Sequence, residues 1–266
     1  MNVTEHIALA AALLLSSPAV SSQRAYAEPA PRPRVVHVFL ALADNKNQGI
    51  VPVPARLGNG RDPANNLYWG AAFGIRTFFR KSAEWRTLSC GDGPNAAILE
   101  RCVFRHSDPD GYLIADAYDG AQIRQAIEDF LHAAAGHPSQ TGHSSDSRLP
   151  GGFDDADLVA YVGHDGLMDF EVPAVAGAKE GRKRQFIVLA CASKPYFQEY
   201  MKQTGSEPLL WTTGLMAPEA YTLEAALTGW FAGESATSIR LRAAAAYSHH
   251  QKCGFEQARR LFASTW

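Results

Sequence analysis

Apolar positions along the chain fall into short unbroken runs, separated by longer stretches in which they return every three or four residues. The unbroken runs are Val35-Val36-His37-Val38-Phe39-Leu40-Ala41-Leu42, Tyr112-Leu113-Ile114-Ala115-Asp116-Ala117-Tyr118, Leu158-Val159-Ala160-Tyr161-Val162, Phe186-Ile187-Val188-Leu189-Ala190 and Pro208-Leu209-Leu210-Trp211-Thr212-Thr213. Runs of this length, rich in β-branched residues, are the pattern of strands buried on both faces. Helical spacing fills the gaps between them. Residues 67–80 carry Leu67, Trp69, Phe73, Ile75, Phe78 and Phe79, which predicts a heavily buried helix capped by Asn65 or Asn66. Residues 121–135 repeat Ile123, Ala126, Ile127, Phe130, Leu131 and Ala134, enter through Asp119-Gly120 and stop at Gly136. Ser193-Lys194-Pro195 predicts a helix start with Ser193 as the cap, an inner face of Phe197, Tyr200 and Met201, and an end at Gly205. Two further helices are expected over 219–231 and 236–252, each followed by a glycine.

Strand and helix therefore alternate. That order predicts an α/β fold, a three-layer sandwich with a mostly parallel central sheet, forming one domain over 28–266. Residues 85–106 read as a pair of short strands, an inserted hairpin within 81–110. Residues 137–152, rich in Ser, His, Gly and Pro, read as a surface loop too short to separate domains. In an open parallel sheet the active site collects at the carboxyl ends of the strands. Two of the predicted strands end on residues able to do chemistry: one runs into His164-Asp165-Gly166, the next into Cys191-Ala192-Ser193.

Composition narrows the function classes. The chain has 266 residues, 46% apolar and 20% charged, with a net charge of −2, which is an ordinary globular balance. Near-neutrality argues against a nucleic-acid partner, and the one basic triplet, Arg182-Lys183-Arg184, reads as a solvated turn before a strand. Residues 7–15 form a short apolar run, and Ala25-Tyr26-Ala27 follows as an A-x-A site, so a signal peptide over 1–27 is expected, with export to the periplasm or the exterior. No membrane span is expected once that leader is removed.

Export changes how the four cysteines are read. Cys90 and Cys102 flank a Gly/Pro/Asn turn at 91–95 and are positioned to bridge a small hairpin. Cys191 and Cys253 then remain as thiols, and a retained thiol in an oxidising compartment marks a candidate reactive group.

The two blocks that end in His164 and in Ala190-Cys191-Ala192-Ser193 resemble those of the caspase–legumain–gingipain group of cysteine peptidases, the second block being close to its legumain version. Leu210-Trp211-Thr212-Thr213-Gly214 followed by Pro218-Glu219-Ala220-Tyr221 resembles the same branch more loosely. The resemblance implies a caspase-haemoglobinase-like fold and a peptide or protein substrate cleaved by a Cys191–His164 dyad. It also implies backbone N–H donors at Cys191 and in the turn after His164, and an Asn after the first strand, Asn45 or else Asn47, to orient the imidazole. The family has Gly directly after His, whereas here Asp165 precedes Gly166, and the His-to-Cys spacing is shorter than the family's. Read physically, the thiolate is the nucleophile, and the positive end of the helix after Cys191 favours it. His164 would take the proton and return it to the leaving amine. The oxyanion would meet the Cys191 N–H and one from Asp165 or Gly166. Asp165 is open to three roles: binding substrate, selecting a basic side chain, or disturbing the oxyanion site. Thr213, with Thr212, is placed to border a specificity pocket.

Two other classes remain. The fold without the chemistry would be a binding or scaffolding module. The acidic residues Asp154, Asp155, Asp157 and Asp169 around the His strand would suit a hard cation in a metal-assisted hydrolase, although their spacing matches no loop motif. His249-His250 are adjacent and do not make a helical metal pair. No cofactor is expected, and the chain has neither a phosphate-cradling glycine loop nor a Gly-x-Ser-x-Gly elbow, which removes the best-marked nucleotide and serine-hydrolase alternatives.

Overall fold

Five strands carry the frame, and each coincides closely with an unbroken apolar run. In the computed structural model, which describes residues 32–107, 111–137, 156–177 and 183–266, these are β1 (Arg34–Ala41), β4 (Gly111–Tyr118), β5 (Leu158–Val162), β6 (Gln185–Leu189) and β7 (Glu207–Thr212). They pair in parallel in the order β4-β1-β5-β6-β7. β2 (Trp85–Asp92) and β3 (Ile98–His106) pair antiparallel to each other, and β3 pairs antiparallel to β4. A two-residue β8 (Phe262–Ala263) lies antiparallel on β7, which completes a mixed sheet of eight strands.

Both faces of this sheet are buried because every core strand is apolar at odd and even positions alike. Val36, Val38 and Leu40 of β1 face one cluster, together with α1 (Ile75–Lys81), α4 (Ala220–Phe231) and α5 (Ala236–Gln251). Val35, Phe39 and Ala41 face the other, with α2 (Ile123–Ala134) and α3 (Ser193–Thr204). Each fully buried Leu, Ile or Phe stabilises the fold by about 1.5–3 kcal/mol, so both helical layers are needed. The result is a three-layer α/β arrangement, with α6 (Phe255–Leu261) leading into β8. Among the described residues no helix is long and apolar enough to cross a membrane.

One cluster of charged groups inside the core is closely paired. Arg101 on β3 forks onto Asp116 on β4, with Nε to Oδ1 at 2.5 Å and a second nitrogen to Oδ2 at 2.6 Å. His37 Nε2 on β1 meets the same carboxylate at 2.9 Å. Burial opposes ionisation of Asp116, but Arg101 and then His37 outweigh it and hold the carboxyl below its usual range.

Several expectations need correction. Residues 67–74 are turns, and α1 starts only at Ile75, with Gly74 rather than Asn65 or Asn66 as its N-cap. Asn66 is instead a buried tie: its Oδ1 accepts from the Ala43 and Tyr68 N–H groups, and its amide donates to the Ala43 carbonyl. Gly70 sits so near the Pro63 and Ala64 carbonyls that a Cβ would lie 2.3 and 2.2 Å from them, a close approach that a helix starting at 67 would not make. The strands at 85–106 are full members of the sheet edge and are bridged by Cys90–Cys102, which stand directly opposite each other. α6 and β8 had no strong signal, because they are short and take their place from β7. Arg184, expected in a solvated turn, is buried and donates to the Ala133 carbonyl. The leader, most of the 137–152 loop and Asp154-Asp155 lie outside the described residues.

Candidate active site

Register brings the two reactive strand ends together. Val162 pairs with Leu189 across β5 and β6, so two residues further on His164 and Cys191 leave the sheet at the same level. Adjacent strands are about 4.8 Å apart. Both residues line one cavity of about 340 Å³. Its walls come from the segments that follow β1 (Gly49, Ile50, Val51), β5 (Gly163, His164, Met168), β6 (Cys191) and β7 (Leu215, Met216, Ala217, Pro218, Glu219), with Leu67 and Tyr68 added. The cavity thus lies outside the carboxyl ends of the parallel strands, where chain order switches from one side of β1 to the other.

Cys191 is one of two free cysteines among the described residues and is half-buried. Ala192 follows it in the left-handed region at φ 48° and N-caps α3, so Ser193, the expected cap, is the first helical residue. The tight corner arises because Ser193 is pulled beneath the sheet. Its hydroxyl donates to the Val188 carbonyl at 2.9 Å, and its N–H donates to Thr212 Oγ1 at 3.1 Å. A non-glycine residue at positive φ beside a thiol is the kind of local strain that functional sites hold. The thiol lies 3.5 Å from both the N–H and the carbonyl of Met216, between α3's positive end and the segment after β7.

His164 is buried, and its Nε2 lies 2.6 Å from Asp169 Oδ2. That oxygen also accepts the Gly49 N–H at 3.1 Å. A carboxylate partner requires Nε2 to carry a proton, which leaves Nδ1 as the basic nitrogen of the neutral ring. Asp169 therefore occupies the orienting place that was expected of Asn45. The Asn45 amide is spent on the backbone of Val53, donating to its carbonyl at 2.7 Å and accepting its N–H at 3.0 Å. Asn47 donates to Asp44 at 2.7 Å. The local sequence carried a usable signal for Asp169, since it stands five residues after His164 at the end of a short turn that folds back.

That turn also relocates Asp165 and Gly166. Asp165 is fully buried, caps the 3-10 turn Gly166–Met168 by accepting the Leu167 N–H at 3.0 Å, and does not line the cavity. Its second oxygen is buried without a partner among the described residues. Burial pushes its carboxyl up to about 7; the Leu167 N–H opposes this, and the charge of Asp169 adds to it. Gly166 lies against Phe170 and Ile127, with room for no Cβ, and is likewise absent from the cavity wall. Thr213 donates to the Arg260 carbonyl at 2.9 Å and faces α6 instead of the cavity, while Thr212 points inward to Ser193. Asp157 binds Arg32 and the Val35 N–H at the far end of β5 from Asp169, so these two members of the acidic group form no common ion site.

Comparison with family models, curated proteins and solved structures gives no match. The site is therefore read from its own chemistry. It holds a thiol, an imidazole with an oriented ring, the phenol of Tyr68 and one carboxylate, Glu219. That carboxylate is occupied, with Oε2 accepting from the Tyr221 hydroxyl at 2.8 Å and the Gln251 amide at 3.1 Å. The remaining walls are apolar, and Val51, Met168 and Leu215 are exposed at the rim. Sequence reasoning missed Tyr68, and it assigned Asp169 to an acidic cation site instead of to His164. Tyr68 was hidden within a stretch that looked like helix core.

Proposed function

We propose that the chain is an exported cysteine peptidase of the caspase–legumain type, or a close acyl-transferring relative, with Cys191 as nucleophile and His164 as proton shuttle. The observation that carries this reading is the placement of both side chains on one cavity wall at matched strand ends. His164, held by Asp169, takes the thiol proton; the sulfur attacks a peptide carbonyl, and the imidazolium then protonates the departing amine. The resemblance in the two sequence blocks and the helix start after Cys191 support the same roles. The Cys90–Cys102 bridge supports a location in an oxidising compartment. The apolar walls favour an uncharged, apolar substrate side chain over the basic one that an exposed Asp165 would have selected.

The test is cleavage of a peptide library by the wild type and by Cys191→Ala. Cleavage that disappears in the variant, with apolar residues enriched at the cut site, is the expected result. A wild type that cleaves nothing and whose Cys191 is alkylated by iodoacetamide no faster than Cys253 would leave a binding module on the same fold. Activity abolished by a chelator but indifferent to alkylation would assign the metal-assisted alternative.

A further inference from the structure

A thiol peptidase needs two fixed donors for the oxygen that becomes negative when the carbonyl is attacked. The sequence pattern offered an N–H from Asp165 or Gly166 as one of them, and neither residue is among the described residues that line the cavity. A side chain of the cavity wall is then the place to look for the second donor.

We propose that the hydroxyl of Tyr68 fills it, acting as the side-chain donor to the oxyanion; this inference rests on the peptidase reading above. Among the described residues, Tyr68 is the one hydroxyl-bearing side chain in the wall of the cavity that holds Cys191 and His164. The residue is 6% exposed, and among the described residues its hydroxyl has no hydrogen-bond partner and does not rank with the sealed, unsatisfied atoms. It is a phenol kept in reserve at a mostly apolar surface.

Its position is fixed from several directions. The Tyr68 N–H donates to Asn66 Oδ1 at 3.1 Å, and its carbonyl accepts from Ile75 at 2.8 Å. The ring lies over Gly163, the residue before His164, where a Cβ would stand 3.7 and 3.9 Å from ring carbons Cδ2 and Cε2. Gly163 itself is at φ +143°, which suits glycine. A donor held in place before reaction incurs no reorganisation when the charge develops. Burial, and then the negative charges of Cys191 and Glu219, push the phenol's pKa upward, so it keeps its proton throughout the neutral range.

The step balances without an added reagent. His164 removes the proton from Cys191. The sulfur–carbon bond forms as the carbonyl π pair moves onto oxygen, and Tyr68 donates a hydrogen bond to that oxygen without giving up its proton. The pair then returns, the carbon–nitrogen bond breaks and His164 protonates the nitrogen. Water subsequently releases the acyl group.

Tyr68→Phe separates this role from others. It is expected to lower kcat on a peptide substrate by about 10²–10³-fold with KM within about twofold, the usual loss for one oxyanion donor. Inhibition by a peptide aldehyde, whose adduct places an oxygen at the same point, should weaken in parallel. Alkylation of Cys191 by iodoacetamide forms no oxyanion and should stay within about twofold of wild type. Unchanged kcat, or alkylation that falls together with cleavage in a variant with native circular dichroism, would overturn the assignment. If Tyr68→Phe does not fold, Tyr68→His, which keeps a ring and an N–H donor, serves in its place: kcat above a tenth of wild type supports the role, and kcat at the level of Cys191→Ala overturns it. A wild type that cleaves no peptide sinks the peptidase reading itself, an outcome distinct from an active wild type with an equally active Tyr68→Phe.

Discussion

Asp165 and Asp169 are four residues apart and do opposite things, because one is sealed and the other is partnered. Asp169 keeps the His164 ring in one orientation through a 2.6 Å contact. Replacing it with Asn should lower kcat by about 10²-fold or more while leaving KM within about twofold, read from steady-state kinetics on the best library peptide. Asp165 bears on stability. Its folded carboxyl titrates near 7, against an ordinary 3.8, so the folded chain holds a proton that the unfolded chain has lost. Stability from this group is therefore fully present below about pH 4 and declines as pH rises to about 7. Asp165→Asn retains an acceptor for the Leu167 N–H and removes the ionisation. Denaturant unfolding should show the variant gaining on wild type by up to a few kcal/mol between pH 4 and 8, with a flatter profile. A constant difference across that range would mean that Asp165 is not titrating there.

The edge pair β2–β3 shows how elements are secured where the core is thin. Both strands belong to the sheet, yet much of β2 is only half-buried, and Cys90–Cys102 joins them at directly opposed positions. Closing a loop of this size limits the unfolded chain by about 3 kcal/mol in the chain-entropy model. A Cys90→Ser/Cys102→Ser double variant should lose about that much in chemical denaturation. Peptide cleavage at 25 °C should remain, because among the described residues no cavity residue lies on either strand. Loss of cleavage at a temperature where the variant is still folded would show that the edge supports the site directly. The segment before α1 shows the converse. Its aromatic spacing matched a helix, but the buried Asn66 and the close approach at Gly70 outcompete helical hydrogen bonding and deliver Leu67 and Tyr68 to the cavity.

Across the whole molecule, the Arg101–Asp116–His37 cluster ties β3, β4 and β1 together inside an otherwise apolar interior. Removing Asp116 takes away the buried carboxylate that both Arg101 and His37 face. Asp116→Ala should therefore cost about 3–5 kcal/mol, measured as a lower denaturation midpoint at pH 7. The folded carboxyl of Asp116 titrates below its unfolded value, so its contribution is present above about pH 4 and is lost as pH falls through the folded value. Acid unfolding of the wild type should consequently be steeper below about pH 4 than that of an Asp116→Asn variant.

Hydrophobic period and punctuation by themselves determined five core strands, most helices, the paired cysteines and the placing of His164 and Cys191 at strand ends. These depend on local chain geometry, which repeats every two or 3.6 residues and is written into consecutive positions. The tertiary structure decided what meets what at the cavity. Asp169 took the place expected of Asn45, Gly166 and Asp165 turned inward, Thr213 faced α6, and Tyr68 came to the wall. Each of these outcomes depends on which groups remain for a side chain after neighbouring segments have taken their own hydrogen bonds, and that competition involves residues far apart in the chain.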